Sequence, residues 1–421
     1  MVGWLRATFG NAFIENVTAF SLWQGVNYIL PLIFVPFLAR VLGPDGWGLV
    51  AIAQSFALYV TRLVEFGFDI TAARDAARQR NDGAALARIA VNVVAAKLVL
   101  VIPTLVLAAL AAAAVPEFRS HQRVFWSAIL WGLGQAFGTV WFFQAIERLR
   151  WIMLAEILCR LLAAIVIVLV VGQAGDAWRY LALQGGAATV SDVIGVGLAL
   201  RLIPPVRPSL AAIGATLRGG FQMFLFRVSE GLYSIATPFL LGLVASPLAV
   251  GYFAGAERIA RAATRLIGPL GGAAFPHISH LVQHARSQAA AAGRSTLLVF
   301  IASGLAISAG LALCAPSLVT VLLGQRFRPA IVDLEILSLL PVVTAASQAL
   351  GFQWMVPLGL DRAFVTIAFS SGVVYLVLAF VFASAFEDVG MAAALLATEF
   401  MVTAALYGVL RVRHLDPFSI R

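Results

Sequence analysis

Residues 44–62 read PDGWGLVAIAQSFALYVTR, and residues 247–265 read PLAVGYFAGAERIARAATR. Each segment is mostly apolar, and each ends on an arginine set well inside a long hydrophobic stretch. A charge at that depth in a membrane is costly and usually functional. Arg62 and Arg265 lie 203 residues apart, and the same offset carries Pro44 to Pro247, Gly48 to Gly251, Ala51 to Ala254 and Ala53 to Ala256. The chain therefore repeats itself, with an intramembrane arginine at the same place in each copy. That pattern predicts a two-fold pseudo-symmetric transporter with a cationic interior.

Composition agrees with a membrane setting throughout. Of 421 residues, 61% are hydrophobic and only 12% charged, and the mean hydropathy is +0.94. A soluble domain carries roughly 25% charged residues. The apolar excess runs along the whole length, which excludes a soluble domain with one anchor. The first apolar run is too long for a signal h-region and lacks a processing site, so the first helix reads as retained. Cys159 and Cys314 both lie in apolar stretches and read as small packing residues. The net charge of +9 would suggest nucleic acid in a soluble protein. Here the arginines fall mostly in connections, where positive-inside sorting explains them and no nucleic-acid partner is expected.

Twelve spans are predicted: 17–41, 47–72, 89–114, 124–146, 152–172, 179–200, 220–245, 250–276, 296–316, 331–356, 364–386 and 389–410. Breaks fall at Gly43-Pro44-Asp45-Gly46, Val115-Pro116-Glu117, Pro204-Pro205, Ser246-Pro247 and Pro357-Leu358-Gly359. The termini and one set of connections hold sixteen basic residues, and the other set holds six. That asymmetry predicts both termini in the cytoplasm. Residues 201–219 (RLIPPVRPSLAAIGATLRG) read as a cytoplasmic linker between an N-terminal six-helix lobe, 1–200, and a C-terminal one, 220–421. An even number of helices on each side makes the repeats parallel. The predicted fold is an all-α integral membrane protein of about twelve transmembrane helices in two pseudo-symmetric six-helix lobes around a central cavity.

Seven basic residues lie well inside spans: Arg62, Lys97, Arg160, Arg227, Arg258, Arg261 and Arg265. Arg62, Glu65 and Asp69 share one face of span 2, because their spacing is i, i+3, i+7. Arg258, Arg261 and Arg265 repeat that spacing in span 8, with Glu257 four residues before Arg261. Span 7 carries Arg227 and Glu230, which correspond at the repeat offset to Gln24 and Asn27 in span 1. Such charges can simply pin helices together, as Arg62–Glu65 or Glu257–Arg261 would. Three cations on one stripe, however, call for anionic partners or water, and a wet cavity receiving an anionic headgroup supplies both. Lys97 and Glu399 lie deep in spans 3 and 12, as coupling sites or as interhelical pairs. Pro31 and Pro36 interrupt span 1, and Gly268-Pro269 interrupts span 8, as gates or as static kinks. His277, His280 and His284 share a helical face, but no carboxylate or cysteine joins them; an interfacial loop is the better reading than a metal site.

The segment from Asn16 to Arg80 carries a recognisable pattern in Gln24, Asn27, Pro31, Pro36-Phe37-Leu38-Ala39-Arg40, Leu42-Gly43-Pro44, Gly48, Phe66-Gly67-Phe68, Thr71 and Arg74. It strongly resembles the bacterial polysaccharide flippases, the Wzx-type O-antigen translocases of the multidrug/oligosaccharidyl-lipid/polysaccharide exporter superfamily. Val250 to Arg258 (VGYFAGAER) looks like that family's eighth helix. The resemblance implies transport of undecaprenyl-pyrophosphate-linked oligosaccharide across the bacterial inner membrane, from the cytoplasmic to the periplasmic leaflet. It implies alternating access driven by a proton or sodium gradient, no other cofactor, and work alongside a polysaccharide polymerase and chain-length machinery. Arginine binds phosphate bidentately. The expected headgroup site is therefore Arg62, Arg258, Arg261 and Arg265, then Arg227, with Gln24 and Asn27. Glu65, Asp69, Glu230 and Glu257 are the expected ion-coupling acids. A multidrug and toxin extrusion antiporter of the same fold would favour an acidic cavity for cationic drugs. The lipid II flippase usually has fourteen helices. A membrane glycosyl-transferring enzyme would show a large outward loop, and the outward loops here are short.

Overall fold

A computed structural model describes residues 2–234, 237–284 and 286–418, with the side chains of 2–14, 28, 32, 226, 229–234, 286 and 287 left aside. Among the described residues every regular element is helical. Sixteen α-helices follow in order: α1 (Val2–Glu65), α2 (Phe68–Arg78), α3 (Gly83–Ala114), α4 (Pro116–Ser120), α5 (Gln122–Ala136), α6 (Val140–Ala145), α7 (Leu149–Val170) and α8 (Ala177–Leu200); then α9 (Leu210–Ser234), α10 (Thr237–Val244), α11 (Pro247–Thr264), α12 (Gly268–His284), α13 (Arg286–Leu318), α14 (Ala330–Leu337), α15 (Leu340–Leu350) and α16 (Asp361–Val412).

Two of these helices are longer than any one crossing. A helix rises about 1.5 Å per residue, and the apolar core of a bilayer is about 30 Å thick, so twenty residues suffice. The α1 helix has 64 residues and α16 has 52. Each breaks where two spans were expected to meet. In α1, Gly43 takes a left-handed φ of 68°. In α16, Glu387 takes a φ of 49° next to a non-helical Phe386. The chain folds back there, because Tyr375 Oη donates to Met391 Sδ at 3.4 Å. Sixteen residues of straight helix would hold those two residues about 24 Å apart.

Seven segments are long and apolar enough to cross a membrane by length and composition. Two of them, Glu15–Arg78 and Asp361–Val412, hold two predicted spans each. The other three predicted spans, 124–146, 220–245 and 250–276, lie on interrupted helices. They map to α5 with α6, to α9 with α10, and to α11 with a 3-10 turn (Arg265–Ile267) and α12. Those interruptions, with the charges of spans 7 and 8, dilute the apolar signal. The protein is a multi-pass, all-α membrane protein.

By contacts the chain divides into two compact units, 1–42 with 49–231, and 43–48 with 232–421. In the first, Phe68, Ala87, Ala96, Phe142 and Met153 belong to one buried core. In the second, Ile267, Phe300, Ala345, Trp354 and Leu406 do the same. The second unit also realises the sequence repeat as a contact. A Cβ on Gly48 would lie 1.8 Å from the Pro247 carbonyl oxygen, and one on Gly251 would lie 2.0 Å from that of Pro44. Pro44 and Gly48 are the repeat mates of Pro247 and Gly251. Each glycine therefore admits the backbone of the other copy's proline, in a reciprocal pair.

Candidate functional site

In the first unit, the polar residues are placed by a break in the chain. After α1 ends at Glu65, Phe66 and Gly67 both take positive φ, 50° and 74°. Gly67 is required there for space as well, since a Cβ would meet Met223 Cβ at 2.8 Å. Phe66 stacks on Phe224, with ring centroids 4.5 Å apart and planes within 10°. That packing seats α9 against the start of α2, and it brings Arg227 onto Asp69 as a direct ion pair. One helical turn back, Arg62 Nη1 meets Glu65 Oε2 at 2.9 Å.

A second set lies along α1 and α7. Trp23 Nε1 donates to Glu156 Oε2 at 2.6 Å. Glu156 pairs with Arg160 at 3.6 Å, and Arg160 donates to the side-chain oxygen of Asn27. Lys97, only 3% exposed, reaches from α3 to the last carbonyl of α5, donating from Nζ to Ala136 O at 2.7 Å. The negative end of a helix dipole is a favourable seat for an ammonium. Close packing holds α5 in place: a Cβ on Gly132 would lie 2.5 Å from the Ala57 carbonyl oxygen. Thr61 Oγ1 donates to Gly132 O at 2.8 Å.

In the second unit Arg258 and Arg261 of α11 and Arg265 at its end have three different surroundings. Arg258 lays its guanidinium over the indole of Trp47, 4.1 Å from the ring centroid, and Trp47 is wholly buried at 0% exposure. Such a stack is worth roughly 0.5–2 kcal/mol, more as it is desolvated. Arg261 pairs with Glu257 through Nη2 at 2.7 Å and Nε at 2.8 Å. Arg265 is exposed and opens the 3-10 turn that ends α11. Gly268 then begins α12, and Pro269 follows at its first turn, where a missing N–H costs nothing. Pro31 and Pro36 sit within α1. His280 and His284 stack ring on ring at 4.4 Å.

The expected residues therefore divide between the units. Arg62, Glu65, Asp69, Arg227, Gln24 and Asn27 lie in the first, and Arg258, Arg261, Arg265 and Glu257 in the second. The Glu230 side chain lies outside the described residues. Well inside the spans of the first unit, among the described side chains, stand Arg62, Lys97, Arg160 and Arg227 and the acids Glu65, Asp69, Glu156 and Asp192. Arg258 and Arg261 on α11 and Arg265 just after it stand with one glutamate, Glu257. The spans of the second unit also hold Asp333, Glu335 and Glu399, so the run of arginines is local to this stretch. Trp47 was not expected in this role. Its only local signal is a large aromatic beside a Gly-Pro turn, and nothing there names a partner 211 positions away.

The helix order and the break positions define a multi-pass, all-α fold that known membrane transporters share. Solved structures match over most of the chain. One is an inward-facing conformation of a multidrug resistance MATE family transporter of the MOP superfamily, at TM-score 0.66 and 15% identity, covering 92% of this chain and 95% of that one. Another is the lipid II flippase MurJ in an inward closed conformation, at TM-score 0.65 and 12% identity, covering 93% and 87%.

Sequence places the chain more narrowly. The family model described as "Polysaccharide biosynthesis protein" matches residues 13–282, and this chain belongs to that family. A "Putative O-antigen transporter" of Escherichia coli (strain K12) is 30% identical over 394 residues, spanning 93% of this chain and 95% of the relative. A relative of the same description from Shigella dysenteriae is 26% identical over 391 residues, 92% and 97% of the two chains. The relatives are transporters, not enzymes.

Proposed function

We propose that this chain is a flippase for an undecaprenyl-pyrophosphate-linked oligosaccharide, the repeat unit of an O-antigen, capsule or exopolysaccharide. It works in the bacterial inner membrane with both termini in the cytoplasm, and it carries the headgroup to the periplasmic leaflet by alternating access. The observation that carries this reading is the arginine set along α11 and the turn that ends it, Arg258, Arg261 and Arg265 with the single acid Glu257. A pyrophosphate bears the opposite charge and the oxygen geometry that guanidinium groups bind in pairs. Exposed Arg265 makes the first contact, and Arg261 and Arg258 follow deeper. Within the first unit, Arg62 and Arg227 are the further residues proposed to bind phosphate, and Gln24 and Asn27 those proposed to bind sugar hydroxyls.

Transport is coupled to a proton or sodium gradient in this reading. Glu65, Asp69 and Glu257 already stand in arginine pairs, so an ion or a proton must compete with a guanidinium for each of them. Pro31, Pro36, Gly268 and Pro269 are the bending points. The resemblance to O-antigen transporters supports the substrate class. The polymerase and chain-length machinery of the same pathway are the expected partners. The test is surface polysaccharide in cells carrying Arg265→Ala or Arg62→Ala at wild-type protein level. Loss in both supports the reading, and normal polysaccharide in both refutes it. Extrusion of a cationic dye by the purified, reconstituted protein would favour a drug antiporter instead.

A further inference from the structure

The turn that splits α16 brings two carboxyl groups together inside the second unit. Phe386 and Glu387 leave helical geometry there. The next residue, Asp388, accepts with its carboxyl from its own N–H and from that of Val389. An acid so placed caps the second half of α16. Asp333, on α14, is wholly buried at 0% exposure. Both of its carboxyl oxygens are buried, and among the described residues neither meets an N–H or O–H donor. The α14 helix packs against α16, and the group within hydrogen-bonding reach of Asp333 is the carboxyl of Asp388. Carboxylates only accept, so two of them cannot bond without a proton between them. Unprotonated, they would be like charges in contact, one of them wholly buried.

We infer that Asp333 and Asp388 form a one-proton binding site, and that the shared proton latches α14 to the turn of α16. Asp333 carries the proton and donates it, because the Asp388 carboxyl already serves as acceptor for the two N–H groups of the cap. With the proton bound the pair has one negative charge; release to water leaves two, and the repulsion parts α14 from the turn. The neighbouring groups offer no cation to relieve it. Glu387 acts on Asp388 from the same turn. Tyr252 on α11 faces Asp388, with Asp45 beside it. The other elements packed on α14 are α13 and the π-helical turn Val319–Leu323, and they add no charge acting on either carboxyl. The site is independent of what the protein transports. It makes this end of the second unit tighter in acid and looser in alkali, since the folded pair holds a proton that an unfolded aspartate gives up near pH 4.

The test uses the purified full chain in an ester-free detergent, where the infrared carbonyl stretch of a protonated carboxylic acid can be read directly. At neutral pH the wild type should show that band, and Asp333→Asn should lose it in the difference spectrum. Asn donates an N–H to Asp388 in the proton's place. Melting is then followed from about pH 6 to about pH 9, the range open to a buried carboxyl. Wild-type stability should fall as the proton leaves, by up to about tenfold in the folding constant per pH unit, relative to a variant that keeps its latch throughout. Asp333→Leu, of nearly the same shape, replaces Asn should that variant not fold, and it too should lose the band. A wild type without the band at neutral pH overturns the inference, whatever the variants do. So does a null difference spectrum in whichever variant folds, or a wild type and Asp333→Asn that respond to pH alike. Alkaline melting restored by sodium or calcium in the wild type, with no carboxylic-acid band, would put a metal cation in the proton's place and also overturn it.

Discussion

Adding one methyl group to Gly251 should measurably destabilise the protein. Its new Cβ would sit 2.0 Å from the Pro44 carbonyl oxygen, where ordinary contact begins at 3.4 Å. The obstacle is backbone, so no side-chain rotation relieves it, and the seam must open by more than an ångström. Overpacking of this kind costs about 1–3 kcal/mol, occasionally more. Gly48→Ala should cost as much, with its Cβ 1.8 Å from the Pro247 carbonyl oxygen. The two contacts share one seam, so opening it for the first methyl makes room for the second. The double variant should therefore lose less than the sum of the single losses, by an interaction energy on the order of 0.5–3 kcal/mol. Gly186→Ala on α8 is the control, since nothing lies within 4 Å of its Cβ. Thermal unfolding in a single detergent reads all four variants. A Gly251→Ala protein that melts with the wild type, or a double variant whose loss is strictly additive, would refute the reasoning.

Replacing Trp47 with alanine removes a buried indole and the platform under Arg258, so unfolding should come earlier by about 3–5 kcal/mol. Trp47→Phe should recover much of that loss; equal melting of the two variants would count against the stack. Glu257→Gln leaves Arg261 without its carboxylate. The cost should be about 1–3 kcal/mol, below that of a fully buried pair, because a third of the Arg261 side chain is exposed. Cysteines at 375 and 391, in a chain lacking Cys159 and Cys314, should be joined by a short bismaleimide in intact membranes. Failure to cross-link would argue for a straight α16.

Much of the fold was legible because membranes tax polarity in a regular way. Among the described residues the spans that hydropathy predicts from 17 to 410 lie mostly on helices, and the turns at Gly43 and near Glu387 lie between predicted spans. The repeat offset was legible too, since identical residues recurred at one spacing. Pairings were not. Arg227 and Asp69 are 158 residues apart, and only the packing of Phe224 on Phe66 brings them together. The acid opposite Arg261 was visible as an i, i+4 neighbour, yet nothing local distinguishes it from a solvated residue. Lys97 stood out as a buried charge, but its partner carbonyl at Ala136 depends on where α5 ends. That end is set by the non-helical turn at Phe137–Thr139, which reads in sequence as uninterrupted apolar helix.

The reciprocal seat of Pro44 on Gly251 and Pro247 on Gly48 has the form of a contact between identical subunits, where a surface meets a rotated image of itself. Written into one chain, that form ties together two sites the genetic code treats as separate. Neither glycine is free to gain a side chain while its counterpart's proline stays in place. Positions 48 and 251 thus behave, for selection, as one site counted twice.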